Sequence, residues 1–222
     1  MSLSHIPLIE DGVILIDKPP NMTSFGVVAR VRKMLSMHFG KKMKVGHTGT
    51  LDPFATGLMI LVVGKECKKA QHYSKLDKIY EATITLGATS TTGDPEGEIH
   101  IIDAQTPSRK EVTACLKEFQ GRITQSPPIF SAIKINGQRA YKLARAGKAV
   151  SIPKREVEIY SIRLIDYSYP LLKIHAHVSS GTYIRTLAEN IGTKLETGAY
   201  CSELRRTNVG KYGIENAHLL PM

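Results

Sequence analysis

The sequence predicts an α+β fold, in which a mixed, mainly antiparallel sheet is flanked by helices and loops. Short runs of β-type composition alternate irregularly with segments of helical periodicity along the 222 residues. Such irregular alternation favours a mixed or antiparallel sheet over a doubly wound parallel sheet. The apolar fraction of 42% is enough to build a sizeable core. The length allows one or two domains, and a single domain over residues 1–222 is the simpler prediction.

The first predicted elements are a strand and a helix. Residues 12–17 have a β-type composition, and the two prolines after Lys18 end the strand, because proline donates no hydrogen bond to a neighbouring strand. Thr23 or Ser24 can cap the helix that follows. The apolar positions that recur at helical spacing, and that we expect to face the core, are Phe25, Val28, Val31, Met34 and Leu35.

The middle of the chain predicts further strands and one capped helix. Two β-type runs occupy residues 58–63 and 80–86, and a turn-rich stretch surrounds Asp94. Ser108 and Glu111 form a capping box, which predicts that a helix begins there.

The last third of the chain predicts two strands within residues 157–179, a helix at about residues 182–195 and a strand at about residues 202–208. The second of the two strands alternates between apolar and polar side chains. Its apolar face consists of Leu172, Ile174, Ala176 and Val178, and its polar face of Lys173, His175 and His177. The two histidines could begin a metal site, but no third ligand is evident, and exposed strand residues are the better explanation.

Residues 125–151 are predicted to leave the main body as an excursion. The segment combines Pro127-Pro128 and an Asn136-Gly137 turn with a basic tract. The residues of this tract that suit contacts with phosphate are Arg139, Lys142 and Arg145.

The charge of the chain points to a polyanionic partner. Lysine and arginine number 30 against 20 aspartates and glutamates, which gives a net charge of +10 and an isoelectric point of about 9.5. Nucleic-acid-binding domains have this balance, although a basic surface without such a partner explains the charge equally well.

The cysteines and the hydropathy pattern bear on the cellular location. Cys67, Cys115 and Cys201 are odd in number and far apart, which supports neither a disulfide framework nor a cysteine-based zinc site. Residues 1–10 lack a signal-peptide pattern, and the longest apolar run, residues 58–63, is too short to span a bilayer. We therefore expect a soluble, cytoplasmic protein.

The segment GHTGTLDPFATG, residues 46–57, is the first candidate for chemistry. Its three glycines and three threonines suit a loop whose backbone approaches a ligand closely. A nucleotide-phosphate loop is the weakest explanation, because the required G-x-x-x-x-G-K-[ST] spacing is absent. Taken alone, Asp52 followed by Pro53 is better explained as a turn residue than as a catalytic group.

The same segment resembles the signature of the tRNA pseudouridine synthase B family, in which the aspartate is catalytic. Other segments resemble that family in the expected order along residues 12–210. They are LIDKP at residues 15–19, KIYEA at 78–82, SSGTYIR at 179–185 and LRRT at 204–207. The resemblance implies the pseudouridine synthase fold and a single catalytic domain, with residues 125–151 as a clamp on the RNA.

The resemblance also implies a reaction that detaches the base of a uridine, turns it and rejoins it through carbon, without a cofactor or a metal. Asp52 would be the central catalytic carboxylate, acting on the sugar or the base in its ionised form. Tyr80, which composition alone places in the core as readily, would stack on the uracil. Arg185 would pair with Asp52 and keep it ionised. From the sequence alone, the partner of Arg185 is Glu189, four residues later.

Substrate contacts follow from the same resemblance. His47 would touch the RNA near a nucleotide flipped out of its loop, Tyr183 and Leu204 would line the uracil pocket, and Lys18 with Pro19 would support the catalytic loop. Apart from the family, each of these residues has an ordinary structural explanation. The full predicted substrate-binding set is His47, Tyr183, Leu204, Lys18, Arg139, Lys142 and Arg145.

The implied substrate is uridine-55 in the T-arm loop of tRNA, modified by a monomer that needs no partner protein. Many family members carry an additional C-terminal RNA-binding domain, which we expect to be missing or minimal in this chain. Two alternatives remain open. One is a relative that modifies RNA only with a guide RNA and accessory proteins, and the other is a non-catalytic RNA-binding module.

Overall fold

The computed structural model describes residues 6–128, 134–135, 138–139 and 152–220, and for 134–135 and 138–139 it describes the backbone alone. The chain divides into two compact units. The first unit comprises Met1–Tyr80 and Arg205–Met222, and the second comprises Glu81–Leu204. The single catalytic domain inferred from the sequence stays a prediction.

The strands follow one another in chain order as β1 Gly12–Lys18, β2 Val45–His47, β3 Thr56–Val63, β4 Lys78–Leu86, β5 Ala88–Ser90, β6 Ile99–Ile101, β7 Gly121–Gln125, β8 Lys134–Ile135, β9 Gln138–Arg139, β10 Arg155–Ser168, β11 Leu171–Val178, β12 Ala199–Val209, β13 Tyr212–Gly213 and β14 His218–Leu219. Among the described residues, the α-helices are α1 Ser24–Phe39, α2 Ala70–Ser74, α3 Arg109–Glu118 and α4 Ile184–Lys194. In the same ranges, two short 3₁₀ helices lie at Gly64–Lys69 and Ile214–Asn216.

Within the described residues, ten strands form one mixed, mainly antiparallel sheet. The first unit contains the order β14-β1-β3-β12, with β2 on β3 and β13 on β12. The pairs β1–β14 and β3–β12 are parallel, and the others in this unit are antiparallel. The second unit contains the order β4-β11-β10-β7, in which β10 pairs antiparallel with both β11 and β7. The predicted fold class is confirmed.

Two local predictions of the sequence are confirmed in the second unit. The apolar side of β11 is fully buried, because Leu172, Ile174, Ala176 and Val178 are each at most 1% exposed. Helix α3 begins with the predicted capping box, in which the Glu111 amide donates to the Ser108 hydroxyl and the Ser108 amide donates to the Glu111 carboxylate. Both features depend only on residues close together in sequence.

The start of α1 confirms the predicted cap and corrects the predicted burial of Phe25. Thr23 is the N-cap, and its hydroxyl accepts a hydrogen bond from the Gly26 amide at 3.0 Å. Phe25, however, is 65% exposed, so its assignment to the core is wrong. Ser24 is buried instead, and it forms hydrogen bonds with the main chain of Leu51.

The region between β7 and β10 is described only in part. Strands β8 and β9 pair antiparallel, with Lys134 opposite Arg139. The predicted turn residues Asn136 and Gly137, and the basic residues Lys142 and Arg145, lie outside the described residues. In the ranges that are described, no helix combines the length and the apolar character needed to cross a membrane.

Candidate active site

Asp52 lies in the connection between β2 and β3, which we call the Asp52 loop (residues 48–55). Leu51 and Ala55 are buried, whereas the Asp52 residue is half-buried. The Asp52 carbonyl accepts a hydrogen bond from the Ala55 amide at 3.2 Å, which closes a tight turn. The turn places the half-buried Asp52 between two buried residues.

Ser24, at the start of α1, fixes the loop next to Asp52. Its hydroxyl accepts a hydrogen bond from the Leu51 amide and donates one to the Leu51 carbonyl, both at 2.8 Å. One hydroxyl therefore satisfies both polar main-chain groups of the residue before Asp52. Because Ser24 is itself only 3% exposed, these two bonds form away from water.

Lys18, at the end of β1, holds the other side of Asp52. Its side chain is completely buried. The Nζ atom donates to the carbonyl oxygens of Pro19 at 2.9 Å, Met22 at 2.7 Å and Pro53 at 3.1 Å. Three acceptors match the three donors of an ammonium group. Lys18 thus ties the Asp52 loop to the loop after β1.

Arg206, which lies on β12, holds the Asp52 loop on both sides. Its Nε donates to the Leu58 carbonyl at 2.8 Å, and its Nη2 donates to the Gly49 carbonyl at 3.1 Å. Its backbone is paired in parallel with Gly57. Gly57 has φ +106, and a side chain there would collide with the Arg206 backbone. This position therefore requires glycine, which explains the last residue of the signature segment.

Tyr80 lies on the buried face of β4 and is 7% exposed. Lys78, on the same face and equally buried, donates to the carbonyls of Ser74 and Leu76. Burial, and secondly the charge of Arg206, lower the pKa of Lys78 to about 8. The sequence analysis did not single out Lys78, although a lysine among the alternating buried positions of a strand is a recognisable signal.

Arg185 belongs to the second unit and lies in the first turn of α4, as predicted. Its Nη1 donates to the Asp94 carboxylate at 2.8 Å and to the Thr92 carbonyl at 2.9 Å. The side chains of Arg185 and Asp94 are only 4% and 5% exposed. Asp94 is therefore a functional candidate that the sequence analysis missed, since 91 residues separate it from its partner.

The loop around Asp94 is itself ordered by hydrogen bonds. The Thr92 hydroxyl donates to the Asp94 carboxylate at 2.6 Å, and the Glu96 amide donates to the same oxygen at 3.1 Å. Glu189 also lies near this pair: burial raises the pKa of Glu189, while Arg185 lowers it. A buried cation with its anion already in place is thus built into the second unit.

The remaining predicted site residues are spread over both units. His47 is half-buried at the end of β2, and Leu204 is 8% exposed on β12. Tyr183 is the N-cap residue of α4, and the Arg155 guanidinium lies 5.6 Å from its ring centroid. Arg139 belongs to β9, and its side chain is outside the described part of the chain.

The polar face of β11 carries the two histidines considered as a metal site. Burial, and secondly Arg163, lower the pKa of His175. The ring of His177 lies 4.8 Å from the ring of Tyr160. Among the described residues, no group of three or more histidine, cysteine or carboxylate side chains is arranged to hold a metal ion.

Two models of known families match the chain. Residues 32–184, more than half of the chain, match the model described as the TruB family pseudouridylate synthase, N-terminal domain. The chain belongs to the TruB family. Residues 185–222 match the model described as the tRNA pseudouridylate synthase B C-terminal domain. The family resemblance of the sequence motifs is confirmed.

Several curated TruB relatives are similar along most of the chain. The tRNA pseudouridine synthase B of Pseudomonas fluorescens is 44% identical over 203 residues, which are 91% of this chain and 65% of the relative. The enzyme of the same name from Phocaeicola vulgatus is 44% identical over 212 residues, 93% of this chain and 89% of the relative. The chain thus spans just under two thirds of the Pseudomonas protein and most of the Phocaeicola protein.

Solved structures show the same fold. A Cbf5-Nop10-Gar1 complex contains a chain that is 31% identical, with a TM-score of 0.74, over 96% of this chain and 53% of that chain. An H/ACA RNP bound to a substrate RNA containing 2′-deoxyuridine contains one that is 29% identical, with a TM-score of 0.70, over 96% of this chain and 52% of that chain.

Proposed function

We propose that this TruB family chain isomerises uridine to pseudouridine at position 55, in the T-arm loop of tRNA. Membership of the family and the relatives named tRNA pseudouridine synthase B support the reaction. The observation that carries the proposal is the Asp52 loop, in which Lys18, Ser24 and Arg206 fix the main chain on both sides of a half-buried aspartate. A fixed loop of this kind preorganises a catalytic group before the substrate arrives.

Three residues carry the chemistry in this proposal. Asp52 acts as the ionised carboxylate, Tyr80 stacks on the extruded uracil, and Arg185 is the catalytic cation. Arg185 is ready for that role in one respect, because its guanidinium is buried and held by Asp94. The direct pairing of Arg185 with Asp52 stays a prediction, and so does the choice between sugar and base as the point of attack.

The tRNA is bound by the predicted set His47, Tyr183, Leu204, Lys18, Arg139, Lys142 and Arg145, of which Lys18 acts indirectly through the Asp52 loop. The net charge of +10 supports a large phosphate contribution to affinity. We further propose that the protein works in the cytoplasm as a monomer, without a cofactor or a partner protein.

Release of tritium from tRNA labelled at carbon 5 of uracil tests the reaction, because that hydrogen is lost when the base is rejoined through carbon 5. The purified chain should release label from tRNA, and tRNA with cytidine at position 55 should remove the signal. Asp52→Ala should reduce release to background. The matched control is Asp103→Ala, which changes an exposed carboxylate and should leave the rate unchanged. Absence of release by the wild-type chain, or equal release by Asp52→Ala, contradicts the proposal.

The second candidate is guide-dependent modification, which the likeness to a Cbf5-Nop10-Gar1 complex favours. A T-arm hairpin given to the purified chain alone separates the two. Release of label from the bare hairpin supports the stand-alone enzyme. Release that requires a guide RNA and accessory proteins supports the second candidate.

A further inference from the structure

Gln125 is a fully buried amide whose role the proposed reaction does not explain. It is the last residue of β7 and is 0% exposed. Its Nε2 donates to the Tyr183 carbonyl at 3.2 Å, and its Oε1 accepts from the Tyr183 amide at 3.0 Å. One side chain thereby pairs with both main-chain polar groups of a residue 58 positions away.

These two hydrogen bonds act on the start of the helix that carries Arg185. Tyr183 is the N-cap of α4, with extended φ −102 and ψ 112, and its own side chain makes no capping hydrogen bond. Its carbonyl also accepts the Leu187 amide at 3.0 Å. Gln125 therefore sets the main chain from which α4 departs, two residues before Arg185.

Neighbours of Gln125 hold the same segment. Arg155 lies opposite Gln125 in the pairing of β7 with β10, and its guanidinium lies over the Tyr183 ring at 5.6 Å. The Thr186 hydroxyl donates to the Ser126 carbonyl at 3.3 Å. Three residues thus hold the start of α4. Gln125 contacts the Tyr183 main chain, Arg155 contacts the Tyr183 ring, and Ser126 accepts from the Thr186 hydroxyl.

We propose that Gln125 is a positioning residue for the pseudouridine-forming reaction, which acts through the Tyr183 main chain to set the place of the Arg185 guanidinium. The inference rests on the function proposed above. Arg185 donates to the Asp94 carboxylate at 2.8 Å and to the Thr92 carbonyl at 2.9 Å. A displacement of the first turn of α4 would move the guanidinium away from both oxygens, and small displacements of catalytic groups lower rates strongly.

The test replaces the amide while keeping its length. In Gln125→Met both hydrogen bonds are lost, and the single-turnover rate of tritium release at saturating tRNA should fall by about 10- to 100-fold. Affinity for tRNA, measured by filter binding, should change by no more than about threefold, since no RNA contact is removed. The exposed Gln120→Met is the matched control and should keep the wild-type rate.

Gln125→Glu provides a second variant for the case in which Gln125→Met does not fold, as judged by its thermal transition. The glutamate carboxylate can still accept a hydrogen bond from the Tyr183 amide. It has an oxygen where Gln125 has its NH₂ group, so the hydrogen bond to the Tyr183 carbonyl is lost. Its rate should lie between those of the wild type and Gln125→Met, or below the wild type if only this variant folds. A wild-type rate in the folded variants overturns the inference.

Combination with Arg185→Lys separates positioning from a general structural effect. If Gln125 acts through the guanidinium, its replacement should lower the already reduced rate of Arg185→Lys by less than about twofold. An equal fold decrease in both backgrounds overturns the inference. If the wild-type chain releases no label, the proposed function and this inference both fail. If it does and the Gln125 variants match it, only this inference fails.

Discussion

The two units of the molecule bury charge in opposite ways. Among the described residues of the first unit, the buried charged side chains are all cations, namely Lys18, Lys78 and Arg206. Each donates to main-chain carbonyl oxygens. In the second unit the buried charged residues are Arg185 and Asp94, which form an ion pair with each other.

This difference bears on the chemistry that each unit can support. In the first unit, main-chain carbonyl dipoles solvate the buried cations. Burial lowers the pKa of Lys78 most, and the charge of Arg206 lowers it further. The buried cations of the first unit support the proposed binding of a phosphate. In the second unit, Asp94 neutralises the guanidinium and fixes its position.

Asp94→Ala should give the largest loss of stability, because it removes the carboxylate that forms an ion pair with the buried Arg185 guanidinium. We expect the free energy of unfolding, measured by denaturant titration, to fall by about 3–5 kcal/mol. Asp166→Ala, which removes the partner of Arg109 in an exposed ion pair at 3.9 Å, is the control and should cost less than about 1 kcal/mol. Equal losses of unfolding free energy in the two variants would show that the buried ion pair stabilises the second unit no more than an exposed one.

Lys78 should give an effect that depends on pH. Its pKa is about 8 in the folded chain against an ordinary value of 10.5, so the folded state binds fewer protons than the unfolded state between these values. The stability of the wild type relative to Lys78→Met should therefore rise from pH 8 to 10.5, by up to about 3 kcal/mol. The same comparison with the exposed Lys75→Met should show no such rise. A flat or falling difference for Lys78 contradicts the prediction.

Ser24→Ala should have the smallest effect, because it removes neutral hydrogen bonds and no charge. We expect a loss of about 1 kcal/mol in the free energy of unfolding. Hydrogen exchange should locate the change at the Leu51 amide, which loses its acceptor. Ser74→Ala breaks a hydroxyl contact to the Gln71 carbonyl three residues away, and it should leave Leu51 exchange unaltered. Unchanged Leu51 exchange in Ser24→Ala would mean that α1 does not fix the loop.

Sequence patterns predicted the elements whose causes are local. The alternation in β11 and the capping box of α3 involve residues within a few positions of one another, and both are confirmed. Phe25 was assigned to the core side of α1, whereas the buried residue is Ser24, which contacts Leu51 27 residues away. Helical periodicity carries no information about a contact over that distance.

The candidate site shows the same limit. The sequence pointed to Asp52 and Arg185 through family motifs, and it placed Arg185 correctly in the first turn of a helix. It could not find Asp94, which faces Arg185 only after the chain folds. The usable signal was the unfavourable position of a cation near a helix N-terminus, which calls for an anion from elsewhere. The turn at Asp94 had been noted without that connection.

The contact between Arg206 and the Gly49 carbonyl spans 157 residues. During synthesis, the Asp52 loop leaves the ribosome long before the arginine that joins its two ends has been translated. A nascent chain consequently carries the aspartate in an incompletely fixed loop until β12 pairs with β3. The loop that carries the aspartate is thereby fixed only after residue 206 has been translated and β12 has paired with β3.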